Sequence, residues 1–409
     1  MSAPYLTGDH EDLRQHVRDF AETEITAHVA RMESSRSVEE DLATRIAQQG
    51  WLGATIHPAF GGMGAGHMAK TIIIEEISRV SGAMGAMVQA SQLGTAKIIH
   101  FGSEEQRKTW LPQIAAGTCL PTIAVTEEGC GGHVLAMRAT ARRDGDNYIL
   151  NGRKTYVGNS HIGHLHGVVA RTGHGTKGLS AFLVEADRSG VILPDHPQSM
   201  GLHGFSFGEI VFDNCRIPAA NRLGQEGQGL DVAYSSSILY GRPNLGAVAL
   251  GIHQAIMEQT RKFVTERQRY GGPLAKLPAI QQKLGEMQSH LMTARLTAYH
   301  AAHLLDHGQP CDAELINAKH VNVRAARDSA RLAMDIHAAA GLFTTHPLER
   351  FFRDVEHLYA PAGTGEIQQH RLSEISLGTY RSQWSVRLAA VTSLRGTTGR
   401  ELHHHRISA

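Results

Sequence analysis

At 409 residues, with 42% apolar and 19% charged side chains, the chain is long enough for two or three packed domains. A formal net charge of +1 gives no electrostatic case for nucleic acid or an acidic membrane surface. No stretch reaches the length of a transmembrane helix, the start MSAPYLTGDHEDLRQ lacks a secretory pattern, and Cys119, Cys130, Cys215 and Cys311 form no CxxC pair, so a cytoplasmic protein with reduced thiols is expected.

In chain order, the first segment reads as helices: Leu13, Val17 and Phe20 recur at helical spacing, and Gly50 stops the second helix. GGMGAG follows at Gly61–Gly66, ahead of a helix carrying Ile72, Ile73, Glu75 and Glu76. A dinucleotide fingerprint requires a strand before its glycines, and WLGATIHPAF is a poor strand, so a glycine turn between helices is the better reading. From about Cys119 to Gly227 the pattern changes to strands and turns. Asn151-Gly152 in NYILNGRKTYV predicts a hairpin, while LSAFLVEA and GEIVFDNCRIP, the latter closed by Pro218, predict further strands. After Gly229 the chain is helical again. Ile280, Leu284, Met287 and Leu291 share one face of a long helix, and Gly341 with Pro347 marks a break.

The 26 histidines raise the question of metal. The densest groups are His161, His164 and His166 in HIGHLH, read as a loop between strands, and His403–His405 in the tail. Neither has a cysteine or carboxylate pattern of ligand spacing, so no metal site is assigned.

The motifs in their order resemble the acyl-CoA dehydrogenase family over nearly the whole chain. They are GGMGAGHMAKTIIIEEISRV, FGSEEQRKTWLPQIAAGT, AVTEEGCGG, GDNYILNGRKTYVGN, GLHGFSFGEIVFDNCRIP, LGQEGQGL, GRPNLGAVALGIHQA, TERQRYGGPL and AGTGEIQ. The resemblance implies an α+β, mostly α fold. Its parts are an N-terminal helical domain (1–118), a central β-barrel-like domain (119–227) and a C-terminal four-helix bundle (228–409). It also implies FAD as cofactor, an acyl-CoA or acyl-carrier-protein substrate, and a homotetramer or homodimer.

Carried over position by position, Val125 and Thr126 contact the flavin ring, and Gly131 and Gly132 belong to its loop. Tyr156 stands where a tryptophan or phenylalanine covers the ring. Arg267, Tyr270, Thr364 and Glu366 match further FAD-contacting positions, the arginine reaching the pyrophosphate across a subunit interface; a guanidinium fork suits a diphosphate. Arg242 matches an arginine near the thioester.

The sequence also departs from the family. The usual catalytic glutamate is Ala362, and the alternative position before the helix arginine is Gly241. Neither residue can take a proton. The loop's usual Ser-Asp is Gly132-His133, and the hydroxyl residue near flavin N5 is Gly158. The FAD-contacting glutamine is Pro278, and its usual partner is Asp335. Three functional classes follow. In the first, acyl-thioester oxidation persists with a substitute base, the candidates by proximity being His133, Tyr240, Glu356, His357 and Tyr359, or with a substrate whose α-proton is unusually acidic. In the second, open space at Gly158 admits O2 and the enzyme is an oxygenase of secondary metabolism. In the third, the chain is a non-catalytic subunit whose partner supplies the glutamate, which co-purification of that subunit would reveal.

Overall fold

The structure, a computed structural model, describes residues 5–195 and 197–392. His403–His405 lie outside them. The chain begins with a helix running from Gly8 to Ser35, made of α1 (Gly8–Phe20), a π-helical turn (Ala21–Ile25) and α2 (Thr26–Ser35). Thr7 caps it by accepting the His10 N–H. After α3 (Glu40–Ala47), Gly50 sits at φ +78, the left-handed backbone that ends the segment as expected.

The glycine run forms a turn rather than a nucleotide loop. It follows two short 3₁₀ turns, Trp51–Gly53 and Pro58–Phe60, and leads into α4 (Gly66–Val80). A side chain at Gly62 would lie 2.2 Å from the Ile56 carbonyl oxygen, so only glycine fits that approach. α4 and α5 (Gly82–Phe101) are buried along nearly their whole length, which places them at the centre of the molecule. α6 (Glu104–Ala115) opens on a capping box between Ser103 and Gln106.

The central region holds β1 (Pro121–Ala124), β2 (Thr140–Asp144), β3 (Asn147–Gly158), β4 (Leu165–Arg171), β5 (Leu179–Glu185), β6 (Val191–Ile192), β7 (Phe207–Pro218) and β8 (Arg222–Leu223). They form one sheet in the order β6-β7-β3-β2-β4-β5-β8, with β1 parallel to β4. Its own core includes Tyr148, Leu150, Val168, Phe182, Ile210 and Ile217.

Asn151-Gly152 is not the hairpin turn expected. β3 runs straight through it, and the β3–β7 ladder shifts register between Leu150 and Gly152. The turn lies at Gly145-Asp146, between β2 and β3. Gly152 instead takes φ +140 where a Cβ would meet Ala139 at 2.6 Å, so the glycine serves a bulge and a close approach. HIGHLH also divides: His161 and His164 precede β4, whereas His166 is inside it, fully buried and bonded to Thr122 Oγ1 at 2.9 Å.

The helical remainder comprises α7 (Gly229–Ser236), a π-helical turn (Ser237–Gly241), α8 (Arg242–Glu266), a short hairpin of β9 (Gln268–Arg269) and β10 (Gly272–Pro273), then α9 (Pro278–Asp306), α10 (Asp312–His337), α11 (Pro347–His357) and α12 (Gly365–Ser376). Helices α8, α9 and α10 pack on one another, α11 and α12 pack on α10, and α4 lies across α8 and α9. Met287 and Leu291 on α9 are buried as the sequence pattern requires. No described helix is long and apolar enough to cross a membrane.

Candidate active site

The two positions that the resemblance assigns to a base, Gly241 and Ala362, lie where three segments meet: α5, the π-turn leading into α8, and the loop from Tyr359 to Thr364. π-turns displace one residue from the regular helix and recur at functional sites. Here the turn presents Gly241 to the loop. A Cβ on Gly241 would lie 3.4 Å from the Ala362 Cβ and 3.6 Å from Leu93 Cδ1. The two positions where the family places its base therefore converge on one spot, and neither holds an acid or a base.

The loop is bent sharply, with Ala362 at φ +54 and Gly363 at φ +95. A non-glycine residue in that region costs energy and persists only when its surroundings hold it. Three side chains do so. Lys319 of α10, 2% exposed, donates to the carbonyls of Tyr359 (3.1 Å), Pro361 (2.6 Å) and Gly363. Gln368 Nε2 donates to the carbonyls of Ala362 (3.0 Å) and Gly363 (2.9 Å). Arg242 Nε donates to the Ala362 carbonyl at 3.3 Å. Burial pushes the Lys319 ammonium down to about 7. Three carbonyls oppose that shift, because only the ammonium has three hydrogens to donate.

Arg242 is 4% exposed, and burial pushes its guanidinium down to about 10. Its Nη1 is buried and has no partner among the described residues.

The loop predicted to face flavin leaves β1 at Val125. The Val125 carbonyl accepts from Lys154 Nζ (3.0 Å), and the Thr126 carbonyl accepts the Thr155 N–H (2.9 Å). Glu127 then accepts Lys154 Nζ (2.8 Å) and the N–H groups of Arg138 (2.6 Å) and Ala139 (3.0 Å). Burial raises the Glu127 carboxyl, but Lys154 and the two N–H groups outweigh it and hold the group below its ordinary range. One carboxylate thus ties both ends of the loop together. At the tip, Gly131 and Gly132 are exposed, and a Cβ on Gly132 would lie 3.7 Å from Ile367 Cδ1 of α12. The loop tip and the start of α12, with Thr364 and Glu366, are therefore neighbours.

Tyr156 lies on β3, next to the Thr155 that bonds Thr126. It is 66% exposed in a left-handed backbone at φ +56, and its ring stacks on Phe207 at 5.9 Å. Phe207 stacks in turn on Phe205 at 5.8 Å and meets the edge of His357 at 5.0 Å. The Phe205 ring reaches Gly158: a Cβ there would lie 3.0 Å from Phe205 Cζ and from Ala90 Cβ. The open space expected at Gly158 is therefore closed, because neighbouring side chains fill the volume the missing hydroxyl residue leaves.

The five substitute bases do not gather at Ala362. The Tyr240 hydroxyl donates to Thr55 at 3.2 Å, with Lys70 Nζ 4.3 Å from its ring centroid. Tyr359 donates to Glu366 at 2.7 Å, a bond that pushes Glu366 down to about 2. Glu356 pairs with Arg327 at 2.6 Å, His133 is exposed before the 3₁₀ turn Val134–Ala136, and His357 packs on Phe207, its pKa lowered by burial. Pro278 is the first residue of α9, and Asp335 pairs with Lys283 at 2.7 Å. Arg267 ends α8 at the foot of the β9–β10 hairpin and is exposed, and Tyr270 stands at the hairpin's turn, 92% exposed. A cavity of about 310 Å³ is lined by α10 and by the Tyr359 and Glu366 ends of the loop, with Lys319, Arg327 and Gln368 among its residues. It does not reach the Gly241–Ala362 contact.

Sequence reading missed Glu127, Lys154, Lys319 and Gln368, which hold the site's two loops. Lys319 left a signal: it falls on the buried face of α10 with Leu315, Asn322 and Ala326.

The Tyr156 ring thus packs on Phe207 of the sheet, the glycine loop tip meets Ile367 of α12, and Arg242 holds the Ala362 carbonyl. The family models for the acyl-CoA dehydrogenase N-terminal, middle and C-terminal domains match residues 7–118, 122–215 and 227–377. The chain is 34% identical over 369 residues to a 3-(aryl)acrylate reductase of Clostridium sporogenes, covering 89% of this chain and 97% of that one. The structure of butyryl-CoA dehydrogenase from Megasphaera elsdenii superimposes with a TM-score of 0.89 at 26% identity, over 92% of this chain and all of that one. The prolyl acyl carrier protein oxidase AnaB superimposes at 0.87 and 27% identity, over 91% and 99% of the two chains. The chain belongs to the acyl-CoA dehydrogenase family, and its cofactor is FAD. The residues present fit that cofactor: an exposed tyrosine ring held in a strained backbone, a glycine loop with open space at its tip, and an exposed arginine on a hairpin.

Proposed function

We propose that the protein oxidises the α,β-bond of an acyl thioester, without a carboxylate at either familiar base position. The observation that supports this reading is Arg242, almost wholly buried, with an Nη1 that has no partner among the described residues and an Nε bound to the Ala362 carbonyl beside Gly241. When bound, FAD accepts the hydride from the β-carbon. Arg242 would donate from Nη1 to the thioester carbonyl oxygen, where negative charge grows as the α-proton passes to a water molecule, since no side chain at Gly241 or Ala362 can take it. A fixed, buried guanidinium stabilises that charge and makes the α-carbon more acidic. A substrate whose α-proton is already acidic suits a site with this charge and no strong base. A relative named a 3-(aryl)acrylate reductase reduces the kind of α,β-double bond that this reading would form.

In this account Val125, Thr126, Tyr156 and Gly158 would hold the flavin ring. Gly131, Gly132, Thr364 and Glu366 line the cofactor's path. Arg267 and Tyr270, exposed in one copy, meet the cofactor of a neighbouring copy in a homotetramer or homodimer. The acyl group rides on CoA or on a carrier protein, both of which present a pantetheine thioester. Oxygenation loses its main support, since Gly158 is packed by Phe205 and Ala90. The holoenzyme turned over under ¹⁸O₂ distinguishes the two: a product lighter by two hydrogens and free of label is expected, and label in the product overturns the proposal.

A further inference from the structure

One helical turn from the Gly241–Ala362 contact lie two residues, Gln89 and Asn244, whose buried amide oxygens have no partner among the described residues. Helix α5 and the start of α8 pass each other in contact at two levels. At the first, Leu93 lies against Gly241 beside Ala362. Gln89 precedes Leu93 by four residues and Asn244 follows Gly241 by three, so each lies on the same face of its helix, one turn further along. They meet there: Asn244 Nδ2 donates to the Gln89 main-chain carbonyl at 3.4 Å. Only an N–H can make that bond, so it fixes the amide's orientation and leaves Asn244 Oδ1 as the free atom. Asn244 is 1% exposed and Gln89 7%, and both Asn244 Oδ1 and Gln89 Oε1 are buried without a partner.

Buried acceptors in native proteins are paired with a donor, and an aliphatic acyl chain brings none. We propose that Gln89 and Asn244 form a subsite for an acyl group bearing an O–H or N–H donor, about 5 Å beyond the reacting carbons at a rise of 1.5 Å per residue. That spacing places the donor on the γ-carbon. The inference rests on the thioester reading above and narrows its substrates to hydroxyacyl or aminoacyl thioesters. Asn244 and Gln89 set specificity and take no part in the bond changes.

The test uses FAD-loaded enzyme under nitrogen, titrated with the pantetheine thioesters of butyrate and 4-hydroxybutyrate. These carry the arm that CoA and carrier proteins share. The readout is the concentration that half-saturates the change in the oxidised flavin band. The hydroxylated thioester is expected to bind about tenfold more tightly or better, and this preference should collapse toward unity in both Asn244→Leu and Gln89→Met. Flavin content and far-ultraviolet circular dichroism confirm that each variant folds. Equal binding of the two thioesters by wild-type protein, or a preference that survives both substitutions, overturns the subsite while leaving the thioester reading standing. A flavin band that responds to neither of these thioesters, nor to any in a panel that includes acyl groups with acidic α-protons, removes the thioester reading, and this inference with it.

Discussion

Replacing Lys319 with methionine removes the one side chain that binds three carbonyls of the catalytic loop. Methionine matches the length of the lysine stem, so packing in α10 changes little and the loss is mainly of the three bonds from Nζ to Tyr359, Pro361 and Gly363. Hydrogen bonds to a charged group contribute about 1.5–3 kcal/mol each, but burying the ammonium costs several kcal/mol, so the net loss is about 3 kcal/mol. At this chain length that corresponds to a fall of about 4 °C in melting temperature. The left-handed backbone at Ala362 and Gly363 then has only Gln368 and Arg242 to hold it. Because Thr364 and Glu366 follow directly, flavin should also dissociate more readily. Thermal melts by circular dichroism, with flavin fluorescence followed in the same sample, measure both effects. A variant that melts within about 1 °C of wild type and keeps its flavin would refute the claim that Lys319 holds the loop.

Glu127→Gln leaves the buried Lys154 ammonium without its carboxylate, and breaking such a pair costs about 3–5 kcal/mol; a melting temperature equal to wild type at pH 7 would contradict this. Because the Glu127 pKa lies below its ordinary 4.5 in the fold, its stabilisation is full above that value and is lost as pH falls through the lower one, so the variant should lose part of the wild-type decline on the acid side. Gly158→Thr should destabilise by about 1–3 kcal/mol through overpacking against Phe205 and Ala90, and adding Phe205→Leu should recover part of the loss, as a double-mutant cycle by denaturant melts will show. Arg267→Ala should purify with little or no FAD, measured as the absorbance ratio of flavin to protein. Ala362→Glu should place a carboxylate beside Gly241 and Arg242 and speed anaerobic bleaching of the flavin by butyryl-CoA, measured by stopped flow.

Much of the architecture was legible because each transition had a chemical signal. Helical spacing located α1 and α9, and the weak strand character of WLGATIHPAF correctly separated the Gly61–Gly66 turn from a nucleotide loop. Strand order was not legible, since β1 beside β4 and β3 beside β7 depend on contacts distant in sequence. Asn151-Gly152 misled because a bulge and a tight turn both call for glycine in an unusual backbone, and sequence alone does not say which. Gly158 misled for a different reason. A missing side chain leaves space only if nothing moves in, and Phe205, 47 residues away in sequence, occupies it. The buried charges were hidden because a lone lysine or glutamate ordinarily marks a solvated face. Lys154 and Glu127 find each other only once β3 crosses the end of β1.

The central claim is that a flavoenzyme without a carboxylate at Gly241 or Ala362 still exchanges electrons with an acyl thioester. The most direct measurement mixes the FAD-loaded protein anaerobically with a panel of acyl thioesters, on CoA and on carrier protein, and follows the oxidised flavin band. The account predicts bleaching without oxygen, strongest for substrates with an acidic α-proton and slowed at least about tenfold in Arg242→Met. An unbleached flavin with every thioester, together with oxygen consumption and an oxygenated product once air is admitted, would contradict it.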